Sequence, residues 1–279
     1  VAAQAPRLGL GPKGSPIDVI PFDPRRFRTA AASYLEGRPA YPPRLFRRVA
    51  RLARLDLSHR VMDLGCGPGQ VAIGLAPYVG SVVAVDPEPE MLRLAGDHAA
   101  AVGLAIELVH GSSYDLGPDF GSFRLVAMGR SFHWMDRVEV LRRLDAMIEP
   151  EGVVVLLHDD HPEAPENAWH ATYQQIIAQY ADDDVAKGVR SRWAGHAAVL
   201  GASAFRDLKR IKAFERTRVT LDALILRTRS MSSVARSRIG PRADDLAAEV
   251  RAAMAPFARD GSLPELIAST ALIAARPPA

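Results

Sequence analysis

Asp63-Leu64-Gly65-Cys66-Gly67-Pro68-Gly69 sets three glycines at alternate positions behind an acid, a composition that suits neither a strand nor a helix. A strand, a glycine-rich turn and a helix together bring a ligand against bare backbone at a helix N-terminus. Three chemistries compete for such a turn. A phosphate-binding loop needs a Lys followed by Ser or Thr after its last glycine, and Gln70-Val71 follow here. A dinucleotide fingerprint spaces its glycines G-x-G-x-x-G, whereas Gly65, Gly67 and Gly69 read G-x-G-x-G. The third adds Asp86, about twenty residues on, at the end of the next apolar run. A carboxylate there is placed to take both hydroxyls of a ribose, and the turn then accommodates a tail without phosphate.

These residues need a scaffold, and the apolar pattern supplies one. From Pro43, Leu45, Phe46, Val49, Leu52 and Leu55 fall on one helical face. Short apolar runs at 61–62, 81–85, 106–110, 123–128 and 152–157 read as strands, and 70–79, 87–98 and 138–148 between them read as helices. That alternation predicts an α/β fold with a mostly parallel sheet and helices on both faces. The second half breaks the rhythm: 161–200 is polar and helical, with Trp169, Tyr173, Tyr180 and Trp193 as its large side chains. We expect an irregular arm over 1–28, a core over 29–160, a helical cap at the sheet's carboxyl edge over 161–200, and a C-terminal part over 201–279. That last part carries strands at 208–220 and 270–275.

Bulk composition narrows the class. Of 279 residues 48% are apolar, which is globular, and no run is long enough to predict a membrane helix. The N-terminal stretch has Pro and Gly where a signal peptide keeps its apolar core, so a soluble, cytoplasmic protein is expected. One cysteine, Cys66, precludes an internal disulfide and a Cys-based zinc site, and reads as a small side chain in a crowded turn. The net charge of +3 comes from arginines spread among acids, and Arg25-Arg26-Phe27-Arg28 has no RNA-binding motif around it. A solvated basic surface is therefore expected, with no nucleic-acid partner. Oligomeric state is not legible.

Four segments in order resemble class I S-adenosylmethionine-dependent methyltransferases. They are 63–69, then Val85-Asp86-Pro87-Glu88-Pro89-Glu90-Met91-Leu92, Tyr34-Leu35-Glu36-Gly37-Arg38-Pro39-Ala40-Tyr41-Pro42, and Ser131-Phe132-His133-Trp134-Met135-Asp136. The last two are similar to stretches of the small-molecule branch that includes trans-aconitate-type enzymes. The resemblance covers about residues 30–160 and implies a Rossmann-like seven-stranded sheet whose last strand is antiparallel. It also implies S-adenosylmethionine as cofactor and a small-molecule methyl acceptor. Gly65, Gly67 and Gly69 are then expected along the methionine part, Asp63 near its amino group, Asp86 on the ribose and Met91 on the adenine. Arg38 is expected near the carboxylate and the Ser131 backbone near the methionyl group, with Gln70 and Pro87 beside them. One departure stands out: Gly111-Ser112-Ser113-Tyr114-Asp115-Leu116 has Tyr114 where the family often holds adenine with an acid. Either Asp115 substitutes, or backbone and Ser113 hold the base.

For the reaction itself, methyl transfer is an in-line displacement, so the protein chiefly positions two partners. A base is needed only for a protonated acceptor, and His133 is the candidate; the competing reading makes it a wall residue like Trp134. Tyr41, Arg130, Trp134, His158 and Trp193 are the expected acceptor-pocket residues, with Arg130 favouring an acidic or polar acceptor. His158-Asp159-Asp160-His161 looks like a metal cluster, but neighbours on a strand point to opposite faces, so no metal is expected. Two rivals remain: a cofactor-binding protein of this fold that does not methylate, and a nicotinamide-dependent oxidoreductase, against which the glycine spacing argues.

Overall fold

The computed structural model describes residues 20, 34–35, 37–182 and 195–278. All of the expected arm but Ile20, and the expected pocket residue Trp193, lie outside the described residues. The strands are β1 (Arg60–Leu64), β2 (Ser81–Asp86), β3 (Glu107–His110), β4 (Phe123–Gly129), β5 (Ile148–Asp160), β6 (Asp207–Thr220) and β7 (Ser262–Ala275). They form one seven-stranded sheet in the order β3-β2-β1-β4-β5-β7-β6. The first five are parallel, and β7 lies antiparallel between β5 and β6.

Side-chain alternation in these strands splits the core in two. Val61, Val82, Ala84, Leu125, Ala127 and Val155 pack on one face, against Leu45, Phe46 and Val49 of α1 (Pro43–Leu52) and Val71, Ala72 and Leu75 of α2 (Gln70–Leu75). Met62, Leu64, Val83, Val85, Val126, Met128 and Val154 pack on the other, against Val140, Leu141 and Leu144 of α4 (Arg137–Asp145). Strands buried on both faces read as continuous apolar runs, which is why the pattern locates them.

Element ends differ from the expectation for local reasons. The helix expected over 70–79 stops at Leu75, and Ala76–Tyr78 forms a 3-10 turn around Pro77, which cannot continue the hydrogen-bond ladder. The helix expected from 87 is α3 (Pro89–Ala101), because the Glu88 side chain caps it from outside by accepting from Glu90 N. Asp136 caps α4 in the same way through Glu139 N, at 3.1 Å. β5 starts four residues before the expected run: Ile148 pairs with Phe123, and the register breaks before Val153. β7 is longer still, because its first half pairs with β6 alone, beyond the body of the sheet.

A third cluster stands over the carboxyl edge. Trp169, together with Tyr173, Ile176 and Ile177 of α5 (His170–Tyr180), packs on Leu224 and Ile225 of α7 (Leu221–Arg229), on Ile239 of α8 (Arg236–Ile239), and on Leu246, Val250 and Met254 of α9 (Arg242–Met254). The helical layer therefore draws on two stretches, and 161–200 alone does not make it. α6 (His196–Gly201) sends Leu200, with Phe205 beyond it, into the second sheet cluster.

Candidate functional site

The turn after β1 is a run of left-handed backbone, with φ of 70° at Gly65, 53° at Gly67 and 79° at Gly69. A Cβ on Gly65 would sit 2.6 Å from the Ser131 Cβ, so this glycine is demanded by contact as well as conformation. A Cβ on Gly67 would meet nothing within 4 Å. There the conformation alone demands glycine. Gly69 is the N-cap of α2 and lies close to Ala95 of α3 rather than on the cavity.

Asp86, at the end of β2, ties this turn to the next. Its Oδ2 accepts from Gly67 N at 2.8 Å and its Oδ1 from Glu88 N at 2.9 Å. Each oxygen keeps a second acceptor position. Burial drives its pKa up to about 6, although the two backbone hydrogen bonds oppose the shift. Asp63 lies behind the glycines and off the cavity wall. Its Oδ2 accepts from Ala72 N in the first turn of α2, at 2.9 Å, and its Oδ1 is buried without a partner. Burial first, and the charge of Asp86 after an opposing hydrogen bond, push Asp63 up to about 7.

These groups edge a cavity of about 510 Å³ at the carboxyl ends of β1, β2, β4 and β5. Of the expected cofactor residues, Arg38, Gly65, Gly67, Asp86, Pro87, Met91, Ser113 and Ser131 line it; Asp63, Gly69, Gln70 and Tyr114 do not. Ser131 is fixed by donating its hydroxyl to Leu64 O at 2.7 Å. Arg38 donates to Ser230 and meets no carboxylate among the described residues. The Tyr114 carbonyl accepts from Arg143 at 2.6 Å, and Tyr114 is not among the residues that line the cavity. Asp115 is committed as well, its Oδ2 accepting from Ser112 N at 2.8 Å and Ser112 Oγ at 2.7 Å. That leaves Ser112 and Ser113 as the cavity-facing residues of this loop.

Arg130 corrects the charge argument. It has φ of 57°, ion-pairs with Asp159 through two nitrogens, donates to Gln70 Oε1 at 3.2 Å and Pro39 O at 2.7 Å, and lies 4.5 Å over the Tyr41 ring. Its charge is neutralised inside the protein, so it is no free anchor for an acidic acceptor. Gln70 and Tyr41 belong to this support rather than to the cavity wall. Burial holds the Tyr41 phenol far above its usual pKa.

The remainder of the wall is imidazole, aromatic and aliphatic: His133, Trp134, His158, His196, Phe132 and Ile177 among them. His133 lies 4.6 Å from the Trp134 ring and 6.5 Å from that of His196, which in turn lies 5.2 Å from Phe132. Burial, with the Arg137 charge behind it, lowers His196 to about 4, so its ring is neutral near pH 7. The four residues 158–161 do not converge on one point: His158 Nε2 pairs with Asp160 at 3.3 Å, while Asp159 turns to Arg130 and His161 Nε2 to Glu265 at 2.7 Å. Burial raises the Cys66 thiol pKa, which makes it a packing residue.

The fold also brings in residues that sequence reasoning passed over: Glu88, Gln174 of α5, and Met231, Ser232 and Ser233 just beyond α7. Glu88 reads locally as a helix cap. The other four carry no local pattern, because the cap that delivers them assembles across long sequence separations.

Residues 61–152 match the family model described as a methyltransferase domain. An uncharacterized methyltransferase of Mycobacterium tuberculosis is 30% identical over 156 residues, 56% of this chain and 60% of that protein. The chain thus spans about three fifths of the length of the curated relatives it matches first. Among solved structures, YcgJ from Bacillus subtilis has a TM-score of 0.52 at 18% identity, covering 84% of this chain and 98% of that one. A SAM-dependent methyltransferase from Thiobacillus denitrificans, in complex with S-adenosyl-L-homocysteine, has a TM-score of 0.51 at 18% identity, covering 92% and 100%. With the strand order 3-2-1-4-5-7-6, these likenesses make the fold the Rossmann-like methyltransferase fold.

Proposed function

We propose that this chain is an S-adenosylmethionine-dependent methyltransferase acting on a small molecule. The observation that carries the reading is Asp86: a buried carboxylate bound by two backbone N–H groups, with an acceptor position left on each oxygen at the rim of a side-chain-free turn. That pair of acceptors suits a ribose diol and repels a phosphate.

The other residues suit the same cofactor. Gly67 leaves room for a chain to lie against the turn, while Pro87 and Met91 offer apolar walls to a purine. Ser113 offers a hydroxyl and an amide to its edge, and Arg38 offers a half-buried cation to a carboxylate. When bound, this cofactor supplies a methyl group on a cationic sulfur. The protein's own task is alignment and exclusion of water. His133 is the base where the acceptor arrives as a hydroxyl or another protonated group.

A cavity of about 510 Å³ has the size of small-molecule sites, which supports a small acceptor within the branch indicated by 34–42 and 131–136. Pairing of Arg130 with Asp159 weighs against the acidic acceptor that the Arg130 charge by itself suggests. Among the described residues no helix is long and apolar enough to cross a membrane.

Calorimetric titration with S-adenosylhomocysteine tests the proposal. We expect micromolar binding that Asp86→Ala weakens about tenfold or more, the loss of a charge-assisted contact of about 1.5 to 3 kcal/mol. Absence of binding to the unaltered protein overturns it.

A further inference from the structure

Arg38 is oriented from the cap, more than 190 residues away in sequence. Its Nε donates to Ser230 Oγ at 2.8 Å and its Nη2 to Ser230 O at 3.5 Å, across a separation of 192 residues. Ser230 is 0% exposed, and its own hydroxyl donates to Arg227 O at 2.6 Å. A serine hydroxyl has one donor and two acceptor positions, so accepting from Arg38 while donating to Arg227 O uses it consistently.

Arg227 anchors the arrangement from below. Its Nε donates to Gly37 O at 3.0 Å, one residue before Arg38, and its guanidinium forms a bidentate ion pair with Glu265, which is 1% exposed. His161 adds a second side chain to that carboxylate at 2.7 Å. Burial alone raises a carboxyl pKa, yet the hydrogen bonds from His161 and Arg227 hold Glu265 down at about 2. The backbones meet too: a Cβ on Gly37 would come within 2.4 Å of Arg227 N, so residue 37 lies directly on α7. Two consecutive residues, Gly37 and Arg38, are thus each held by the last turn of one cap helix.

We infer that Ser230, seated by Arg227 and Glu265, is a positioning residue that aims the Arg38 guanidinium at the carboxylate of the bound cofactor. The inference rests on the cofactor proposed above. Ser230 occupies the Nε edge of the guanidinium, and Arg38 lines the cavity without a carboxylate partner among the described residues. The next three residues, Met231, Ser232 and Ser233, line the same cavity. One short segment therefore orients the cofactor anchor and forms part of the cavity wall.

The test compares two ligands that differ in the group Arg38 is to hold. S-adenosylhomocysteine carries the amino-acid carboxylate; 5′-methylthioadenosine keeps the nucleoside and thioether and lacks it. Calorimetry on the full chain is expected to show Ser230→Ala weakening S-adenosylhomocysteine about tenfold while changing 5′-methylthioadenosine less than twofold. In an Arg38→Ala background the Ser230→Ala effect is expected to vanish. Ser230→Cys, which keeps the shape and a poor acceptor, is expected to repeat the selective loss and serves as the readout if the alanine variant does not fold. Equal weakening of both ligands marks a merely structural serine and overturns the inference, as does unchanged binding of S-adenosylhomocysteine. If the unaltered protein binds neither ligand, the proposed function fails and takes this inference with it. If it binds both and the ratio ignores Ser230, only the inference fails.

Discussion

The Asp86 carboxylate accepts from the Gly67 amide at 2.8 Å, so the acid at the end of β2 and the glycine turn after β1 form one unit. Ligand recognition at Asp86 therefore depends on the protonation state of a group whose pKa is raised by burial to about 6. Above that pH both oxygens accept; below it, one becomes a donor. Affinity for S-adenosylhomocysteine is expected to fall as pH drops from 7 to 5, by at most about tenfold per unit below 6. Asp86→Asn is expected to bind weakly with a flat profile over the same range. Calorimetry at several pH values reads both.

Asp63 has the opposite consequence for folding. Its native pKa is raised to about 7, above the unfolded value, so between pH 4 and 7 the native state holds more protons than the unfolded one. Its contribution is full below the unfolded pKa and is lost as pH rises through about 7. Denaturant unfolding of the ligand-free protein is expected to show this as a slope of up to about 1.4 kcal/mol per pH unit for the one proton. Asp63→Asn is expected to remove the Asp63 share of that slope and to leave the smaller share that Asp86, raised to about 6, contributes at lower pH.

Gly65 and Gly67 separate conformation from contact. Gly65→Ala adds a Cβ 2.6 Å from Ser131 Cβ on top of an unfavourable φ, whereas Gly67→Ala adds only the φ. Gly67→Ala is expected to cost about 1 to 2 kcal/mol of stability, and Gly65→Ala more. Thermal melts of the two variants rank them; the reverse order contradicts the account given for the turn.

Arg130 and Asp159 are predicted to act on folding more than on acceptor choice. Arg130→Met leaves Asp159, 9% exposed at its side chain, without its cation, and is expected to destabilise by about 3 to 5 kcal/mol. The double variant Arg130→Met/Asp159→Asn is expected to recover much of the loss. Equilibrium unfolding of the three proteins decides it, and additive losses would show that the pair is not coupled.

The sequence reveals the proposed nucleotide half of the site more openly than the proposed acceptor half, for a physical reason. The glycine turn, Asp86, Pro87 and Met91 sit within thirty residues of one another, and their spacing follows from one strand-turn-helix-strand unit. Tyr114 and Asp115 are ambiguous in the sequence because only the fold shows that Asp115 Oδ2 is bonded to Ser112 and that neither residue lines the cavity. The same holds for Arg130, whose partner Asp159 lies 29 residues away on the neighbouring strand. Met231 to Ser233 reach the cavity through a cap built from two separated stretches, and no local period encodes that meeting.

The two edges of the sheet differ in how open they are to another chain. Along β6, Arg44 of α1 donates to Phe214 O and Arg48 donates to Lys212 O at 2.8 Å. Both carbonyls, on the outermost strand of the sheet, therefore already have arginine partners. Fibril growth or strand exchange at β6 must first evict two arginines from their acceptors and then seat itself among exposed Lys209, Arg210 and Lys212. The opposite edge, β3, is only four residues long. A sheet bounded by one guarded edge and one very short one gives misassembly little to grow on, and it can hold an open cleft at its carboxyl end without becoming a template for its own aggregation.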